Sequence, residues 1–430
     1  MTNQSLPKFF RIRQAFPRPK LNNIADVVHQ QLAAVCGNAN ELVGKSVAIT
    51  VGSRGIADIA PITRACVDFM KSRRAEPFIV PAMGSHGGAT AEGQTQLLAG
   101  FGITELAMGA PIRSSMDVIE VCMAAEGFPV YFDRQASLAD HVLVLNRVKP
   151  HTRFAGELES GLMKMMLIGL GKQRGAEVYH RAITNYCFDQ IVRSVARVVI
   201  QRCKVLAGLA ILENAYEETA QVVGVRAQEI ESEEPKLLRQ VKQWMPSLPF
   251  DHASLLIVDR IGKNISGTGM DTNVIGRKKN DHVAIDGETP SIHHIYVRGL
   301  TSETHGNASG IGLAELTHRR VVEAIDPQST RMNCITAGHV TGAMLPMDFD
   351  SDREAIRIAC QMAGYVEPEQ VSAMWIRDTL SLSEVECSQA FWEAAQQLSH
   401  VEILKEPTDL EFDDQGDLVE RFGSCESALP

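Results

Sequence analysis

The run 142-VLVLNRVKPHTRFAGELESGLMKMMLIGLGKQRGAEVYH-180 decides how the rest of the chain is read. Its first four residues, Val142 to Leu145, form an apolar stretch with the pattern of a buried strand. Then come His151 beside Pro150, a small-residue loop, Lys164 inside an apolar run, and a second histidine, His180. Lys164 stands between Gly161-Leu162-Met163 and Met165-Met166-Leu167-Ile168. A lysine is rarely fully buried without a partner, and burial favours its neutral, nucleophilic amine. The alternative is a lysine whose stem lies on apolar surface while its ammonium reaches water.

Upstream, Ser46 to Val51 is another short buried-strand pattern, ending at Gly52-Ser53-Arg54-Gly55. The spacing of Ile59, Ile62, Ala65, Cys66 and Phe69 predicts a helix over 59–72. A strand over 77–81 leads into the turn Gly84-Ser85-His86-Gly87-Gly88, and a helix follows from Ala89 or Thr90 to Gly100. Strand, turn and helix in alternation indicate a parallel sheet with helices on its faces. Ligands of such sheets bind at the carboxyl ends of the strands. Both glycine-rich turns lie there, and so does the loop after Leu145. A helix over 175–202 and a strand over 205–212 continue the pattern. A lead-in strand near Phe9 to Ile12 and a helix over 24–36 precede it.

The charged, helical stretch 229–244 and the following Met245-Pro246-Ser247-Leu248-Pro249-Phe250 read as a connection. The expected domains are therefore 1–245 and 246–430. The second begins with the apolar Leu255 to Asp259 and carries a long polar loop, 260–280, with Lys263, Asp271, Lys278 and Lys279. A strand over 292–297 and helices over 352–364 and 368–379 follow. The expected fold class is α/β: two α/β domains with largely parallel sheets.

Hydrophobic residues make up 45% of the 430 and charged residues 22%, a globular composition. The net charge of -10 argues against nucleic acid as a partner, because phosphate backbones need a basic footprint. It leaves room for a small anion in a local basic pocket. No run is long enough to span a bilayer and the N-terminus has no signal-peptide core, so a cytoplasmic location away from membranes is expected. The nine cysteines form no CxxC pair, which predicts reduced, mostly buried thiols.

Four strand-end loops hold polar residues suited to chemistry: Arg54, His86, His151 with Lys164 and His180 beyond it, and the lysine-bearing loop 260–280. Two histidines from different loops can act as acid and base on opposite faces of one carbon. An arginine offers a fork that matches a carboxylate. The glycine-rich turn either serves only its backbone conformation or presents N–H groups to an anion.

The set Arg54, Gly84-Ser85-His86, Pro150-His151 with Phe154-Ala155-Gly156, Lys164 and His180 resembles the nickel-dependent lactate racemase family. The resemblance is strongest over residues 45–185. It implies a nickel pincer nucleotide, a pyridinium-derived mononucleotide attached through Lys164, with His180 as the nickel ligand. It implies His86 and His151 as the acid/base pair and Arg54 as the substrate-carboxylate arginine. Lys279, eight residues after Asp271, would be the substrate lysine. Gly84, Ser85, Gly87, Gly88 and Thr90 would contact the cofactor, and the active site would lie in a cleft between the domains. The implied activity is racemisation or epimerisation of a 2-hydroxy acid by hydride transfer. The cofactor-biosynthesis enzymes are the implied partners, and a homo-oligomer is an option. The chain departs from the family in having Gly87 where an arginine usually stands, which suggests open space for a different acid. It also has Leu162-Met163 for a glycine pair and a longer loop between His151 and Lys164. Two other classes fit the same residues: a lysine-dependent lyase or dehydratase without nickel, and a non-catalytic nucleotide- or anion-binding protein.

Overall fold

The apolar runs become the centre of a five-stranded sheet in the computed structural model of the chain, which describes residues 5–53 and 55–422. In chain order the first unit, Pro17–Met245, contains the following elements. The strand before it, β1 (Phe9–Gln14), belongs to the other unit. Then come α1 (Ile24–Val35), β2 (Ser46–Val51), α2 (Ile59–Ser72), β3 (Glu76–Pro81), α3 (Ala91–Gly100) and the short α4 (Glu105–Met108). A hairpin, β4 (Val118–Met123) and β5 (Pro129–Asp133), and the short α5 (Arg134–Ser137) lead to β6 (His141–Arg147). One helical run follows: α6 (Leu162–Lys164), a π-helical turn (Met165–Gly169) and α7 (Lys172–Ala182). α8 (Phe188–Arg202), β7 (Val205–Glu213), β8 (Thr219–Arg226) and α9 (Ile230–Lys242) complete the unit.

The sheet order is β3-β2-β6-β7-β8, parallel except for β8. Both of its faces are covered, which is why its strands read as unbroken apolar runs. Val47, Ile49, Leu143 and Leu145 face α1 and α2 (Val28, Leu32, Ile62, Cys66). Ala48, Val80, Val142 and Val144 face the helical run, α8 and α9 (Met166, Leu167, Val195, Leu238). Each such buried aliphatic side chain contributes about 1.5–3 kcal/mol. From β2 the chain goes outward to the edge strand β3 and then returns past β2 to the central β6. The loops after β2 and β6 therefore diverge, which makes the crevice at their carboxyl ends the topological switch point.

The second unit has an eight-stranded sheet, β12-β11-β10-β9-β13-β14-β1-β15. Its elements after the linker are β9 (His252–Val258), α10 (Thr272–Ile275), β10 (Ser291–Val297), β11 (Leu316–His318), α11 (Arg319–Ala324), α12 (Pro327–Thr336) and β12 (Met347–Phe349). α13 (Asp352–Met362), β13 (Ala373–Ile376), β14 (Glu384–Ser388), α14 (Trp392–Gln397) and β15 (Val401–Thr408) follow. Strands β12 to β9 and β13 are parallel; β14, β1 and β15 are antiparallel. Here the switch point lies between β9 and β13. The polar loop after β9 meets the loop after β13 there, with Asp271 N–H donating to Thr379 Oγ1 at 2.9 Å. Among the described residues no helix is long and apolar enough to cross a membrane.

Several expectations need correction. The lead-in strand leaves the first unit: Phe9 to Arg13 pair with β14, and Phe9 and Phe10 are fully buried in the second unit. Residues 229–244 are no connector, because α9 buries Leu237, Leu238 and Val241 in the first core. The helix expected over 175–202 is two helices, broken between Ala182 and Phe188. The helix expected over 368–379 is instead a short 3-10 turn and strand β13, since Ala373-Met374-Trp375-Ile376 is buried on both faces beside β9. A short apolar run does not distinguish the two by periodicity.

Phe10 packs edge-on against Trp392 at 5.0 Å. Phe10→Ala is expected to cost the second unit about 3–5 kcal/mol. Denaturant unfolding followed by the fluorescence of Trp375 and Trp392 measures this.

Candidate active site

Three loops leave the carboxyl ends of β2, β3 and β6 and meet the helical run that carries Lys164. The π-helical turn is the meeting point. Its defining bond runs from Leu170 N–H to the Met165 carbonyl at 2.9 Å. Such turns are rare and recur at functional sites. Gly84 N–H donates to the Gly169 carbonyl at 3.3 Å. A Cβ on Gly169 would stand 2.8 Å from the Ala82 carbonyl oxygen, and one on Gly52 would stand 3.2 Å from Met165 Cε. Only small residues allow the strand-end loops to come this close.

The β3 loop presents His86, which is exposed. Its Nδ1 meets the hydroxyl of Ser53 from the β2 loop. Gly84, Gly87 and Gly88 of the turn all have positive φ. Gly87 is not an opening: a Cβ there would lie 2.7 Å from Gln94 N and Gly93 C. The expectation of free space at Gly87 is therefore wrong, because the backbone of α3 fills it. Thr90 caps α3, accepting from Gly93 N–H at 3.0 Å and donating to the Gly87 carbonyl at 3.2 Å. Its hydroxyl is thus already engaged in holding the turn.

The β6 loop presents His151, half-buried. Its backbone N–H donates to Glu159 at 2.6 Å, and Glu159 in turn receives Lys242 at 2.7 Å. Its Nδ1 accepts from Arg153 N–H at 3.0 Å and Phe154 N–H at 3.2 Å. A ring nitrogen that accepts carries no proton, so the neutral His151 ring holds its proton on Nε2. The ring stacks on Phe154 at 4.2 Å, and Phe154 stacks on Phe188 at 4.0 Å. Lys164 Nζ lies 5.4 Å from the centre of the Phe154 ring.

Lys164 is half-buried while Leu162, Met163, Met166 and Leu167 are wholly buried, so its neighbours are core and its amine is at the core's edge. Two groups fix the start of its helix. Asn146 Nδ2 donates to the Gly161 carbonyl at 2.7 Å. Glu234 of α9 accepts from Met163 N–H at 2.9 Å. Burial pushes the Glu234 carboxyl up to about 7, against the N–H groups of Met163 and Leu162 that lower it. Leu162-Met163 thus pack in the core beside a buried acid.

His180, on the last turn of α7, is exposed at its surface, yet the protein around it and the Lys164 ammonium hold its imidazole below the usual value. The neutral ring is the form that ligates metals. Among the described residues, the one group of three His, Cys, Asp or Glu side chains close enough to share an ion is His318, Asp352 and Asp417. Arg298 and Arg320 already pair with those carboxylates, which explains the cluster without an ion.

Arg54 lies outside the described residues. Lys279 stands in the second unit with its side chain exposed, and its backbone N–H donates to Glu288 at 2.8 Å. Its neighbour Lys278 is half-buried and donates to Asn273 at 3.1 Å, and Asn273 donates to Asp271 at 2.8 Å. Lys263 donates to Asn333 of α12 at 2.8 Å and to the Gly267 carbonyl of its own loop. The contacts of the first unit thus join His86 to Ser53, and His151 and Lys164 to Phe154, with His180 beside Lys164. Two site-supporting residues escape a reading by motif: Glu234 in a charged helix, and Phe188 at a helix start.

No family model and no curated protein matches the sequence. The structure resembles that of the lactate racemase apoprotein from Thermoanaerobacterium thermosaccharolyticum, with a TM-score of 0.54 and 15% identity over 87% of this chain and 99% of that one. It also resembles a protein from Thermotoga maritima, with a TM-score of 0.50 and 13% identity over 76% of this chain and 84% of that one. At such identities the likeness is one of fold.

The buried Glu234 supplies a pH test. Its folded value, about 7, lies above the ordinary 4.5. Its contribution to stability is therefore fully present below about pH 4.5 and is lost as pH rises through about 7, where the unfolded chain has already released the proton. Glu234→Gln is expected to remove that fall between pH 5 and 8, as measured by denaturant unfolding across the range.

Proposed function

We propose that the protein racemises or epimerises a 2-hydroxy acid with a nickel pincer nucleotide held through Lys164. The observation that carries this reading is the gathering of Lys164, His180 and the His151–Phe154 stack at the switch point of a parallel sheet. The donor chemistry fits the group. Lys164 brings an amine to the edge of the core, as a tether requires. His180 brings an imidazole biased to its neutral, ligating form. No group of three protein donors includes His180 among the described residues. One imidazole suits a soft metal whose remaining donors come with its own cofactor. When bound, the cofactor supplies the acceptor for the α-hydrogen and its return to either face of the planar keto acid.

The chain's own groups handle the proton and the charge. To take the hydroxyl proton through Nε2, a ring must carry its own proton on Nδ1. His86 does so by turning the Ser53 hydroxyl from donor to acceptor. His151 would have to give up two backbone N–H bonds. We therefore assign the first proton abstraction to His86. His151, with its proton on Nε2, hydrogen-bonds the substrate oxygen; to return a proton to that oxygen it must first become an imidazolium, which displaces the two N–H groups from Nδ1. Arg54 and Lys279 are assigned to the substrate carboxylate. The Phe154 ring, stacked between His151 and Phe188, offers its face to the Lys164 amine.

A 2-hydroxy acid labelled with deuterium at the α-carbon tests this. Over a panel of single enantiomers in ordinary water, the holoprotein is expected to invert its substrate and keep the label, as a hydride transfer requires. Inversion with loss of label to water would instead indicate carbanion chemistry. His86→Gln should lower kcat by about 10²–10⁴-fold.

A further inference from the structure

The helical run from Leu162 to Ala182 carries a second lysine, Lys172, which no motif singles out. It is wholly buried, and so are its partners Asp133 and Gln94. Its ammonium lies 3.1 Å from Asp133 Oδ2 and donates to Gln94 Oε1 at 3.0 Å and to the Pro81 carbonyl. Lys172 has φ +54°, a left-handed conformation unusual outside glycine. The opposite end of the Gln94 amide completes the chain: Nε2 donates to the carbonyl of Gly84 at 3.0 Å and to that of His86 at 3.3 Å. A line of polar groups thus runs from β5 through the helical run and α3 to the backbone of His86. It is set in an otherwise apolar layer that includes Val80, Ala82 and Phe132.

A buried ammonium is expensive unless it is paired and hydrogen-bonded, and apolar side chains of similar size commonly fill such a place as well. What an apolar filling could not do is hold Gln94 Oε1 so that the other end of its amide donates to two carbonyls of a turn. The glycines of the His86 turn have positive φ, and its exposed imidazole meets the Ser53 hydroxyl. We propose that Asp133, Lys172 and Gln94 are positioning residues that fix the His86 turn. This inference rests on the reading that His86 exchanges a proton with substrate. It also means that a single helical run holds Lys164, the support beneath His86, and His180, in that order. The tether and the proton-transfer turn are then registered on one stretch of chain, with Lys172 midway between Lys164 and His180.

Gln94→Glu tests this most cleanly. The carboxylate keeps a partner for Lys172 but cannot donate to the Gly84 and His86 carbonyls. Histidine-selective 15N NMR of the full-length, cofactor-free variant gives a readout independent of activity, with the His86 signal assigned through His86→Gln. The two ring nitrogens of His86 should move toward the average of the two tautomers, while those of His151 and His180 stay in place. In the holoprotein kcat should fall about 10–100-fold with KM within about two-fold, as misplacement of a proton carrier predicts. Gln94→Met, which removes the same donors without adding charge, should do likewise and serves if the glutamate variant does not fold. Unchanged His86 signals in a folded variant would overturn the proposal. So would an equal change in all three histidines, which would make the network a support of the whole unit. If the wild-type protein inverts no hydroxy acid, the functional reading fails, but the His86 signals still decide the positioning.

Discussion

Close backbone packing around the π-helical turn Met165–Gly169 is the constraint on which the site depends. Gly169 lies under the Ala82 carbonyl with no space for a Cβ, and Gly84 hydrogen-bonds back to it. On the other side Met165 reaches Gly52. The loops after β2 and β3 are thereby clamped to the helical run that bears Lys164. An α-helix in the same place would place the residues after Lys164 differently, since the wider turn accommodates one extra residue. The buried carboxyl of Glu234 and the amide of Asn146 fix the start of the run, so Lys164 is set from both ends.

Above this clamp the two histidines are held unlike one another. His151 is fastened at Nδ1 by two backbone N–H groups and stacked at the end of the Phe154–Phe188 pair. His86 rests on a turn rich in positive φ and meets a hydroxyl that can donate or accept. Imidazoles in an acid/base pair need not be equivalent, and environment sets which one carries the proton. The buried Asp133–Lys172–Gln94 line ends on the backbone of the His86 turn.

Much of this organisation was legible in the sequence, for a physical reason. Parallel strands covered on both faces are unbroken apolar runs, and Ser46–Val51, His141–Arg147 and His252–Val258 announce themselves that way. The helix over 59–72 follows from its apolar spacing. Candidate site residues stood out because strand-end loops carry polar groups that a core would exclude. What failed was non-local or depended on backbone detail. β1 pairs with a strand more than three hundred residues away, which no local pattern records. Gly87 looked like a missing side chain and is a close backbone crossing. Lys172 looks like a surface lysine after a glycine until its partners, Asp133 and Gln94, are brought under it by the fold. The short run at Trp375 was compatible with helix or strand, and only its neighbour β9 decides.

The central claim is that Lys164 is a covalent anchor rather than a lysine at the rim of a core. Protein purified from a host that makes the pincer nucleotide can be examined by intact mass, peptide mapping and metal analysis together. The account predicts stoichiometric nickel and an added mass on the peptide containing Lys164, both lost in Lys164→Ala. An unmodified Lys164 in nickel-free protein that still inverts a 2-hydroxy acid would contradict it.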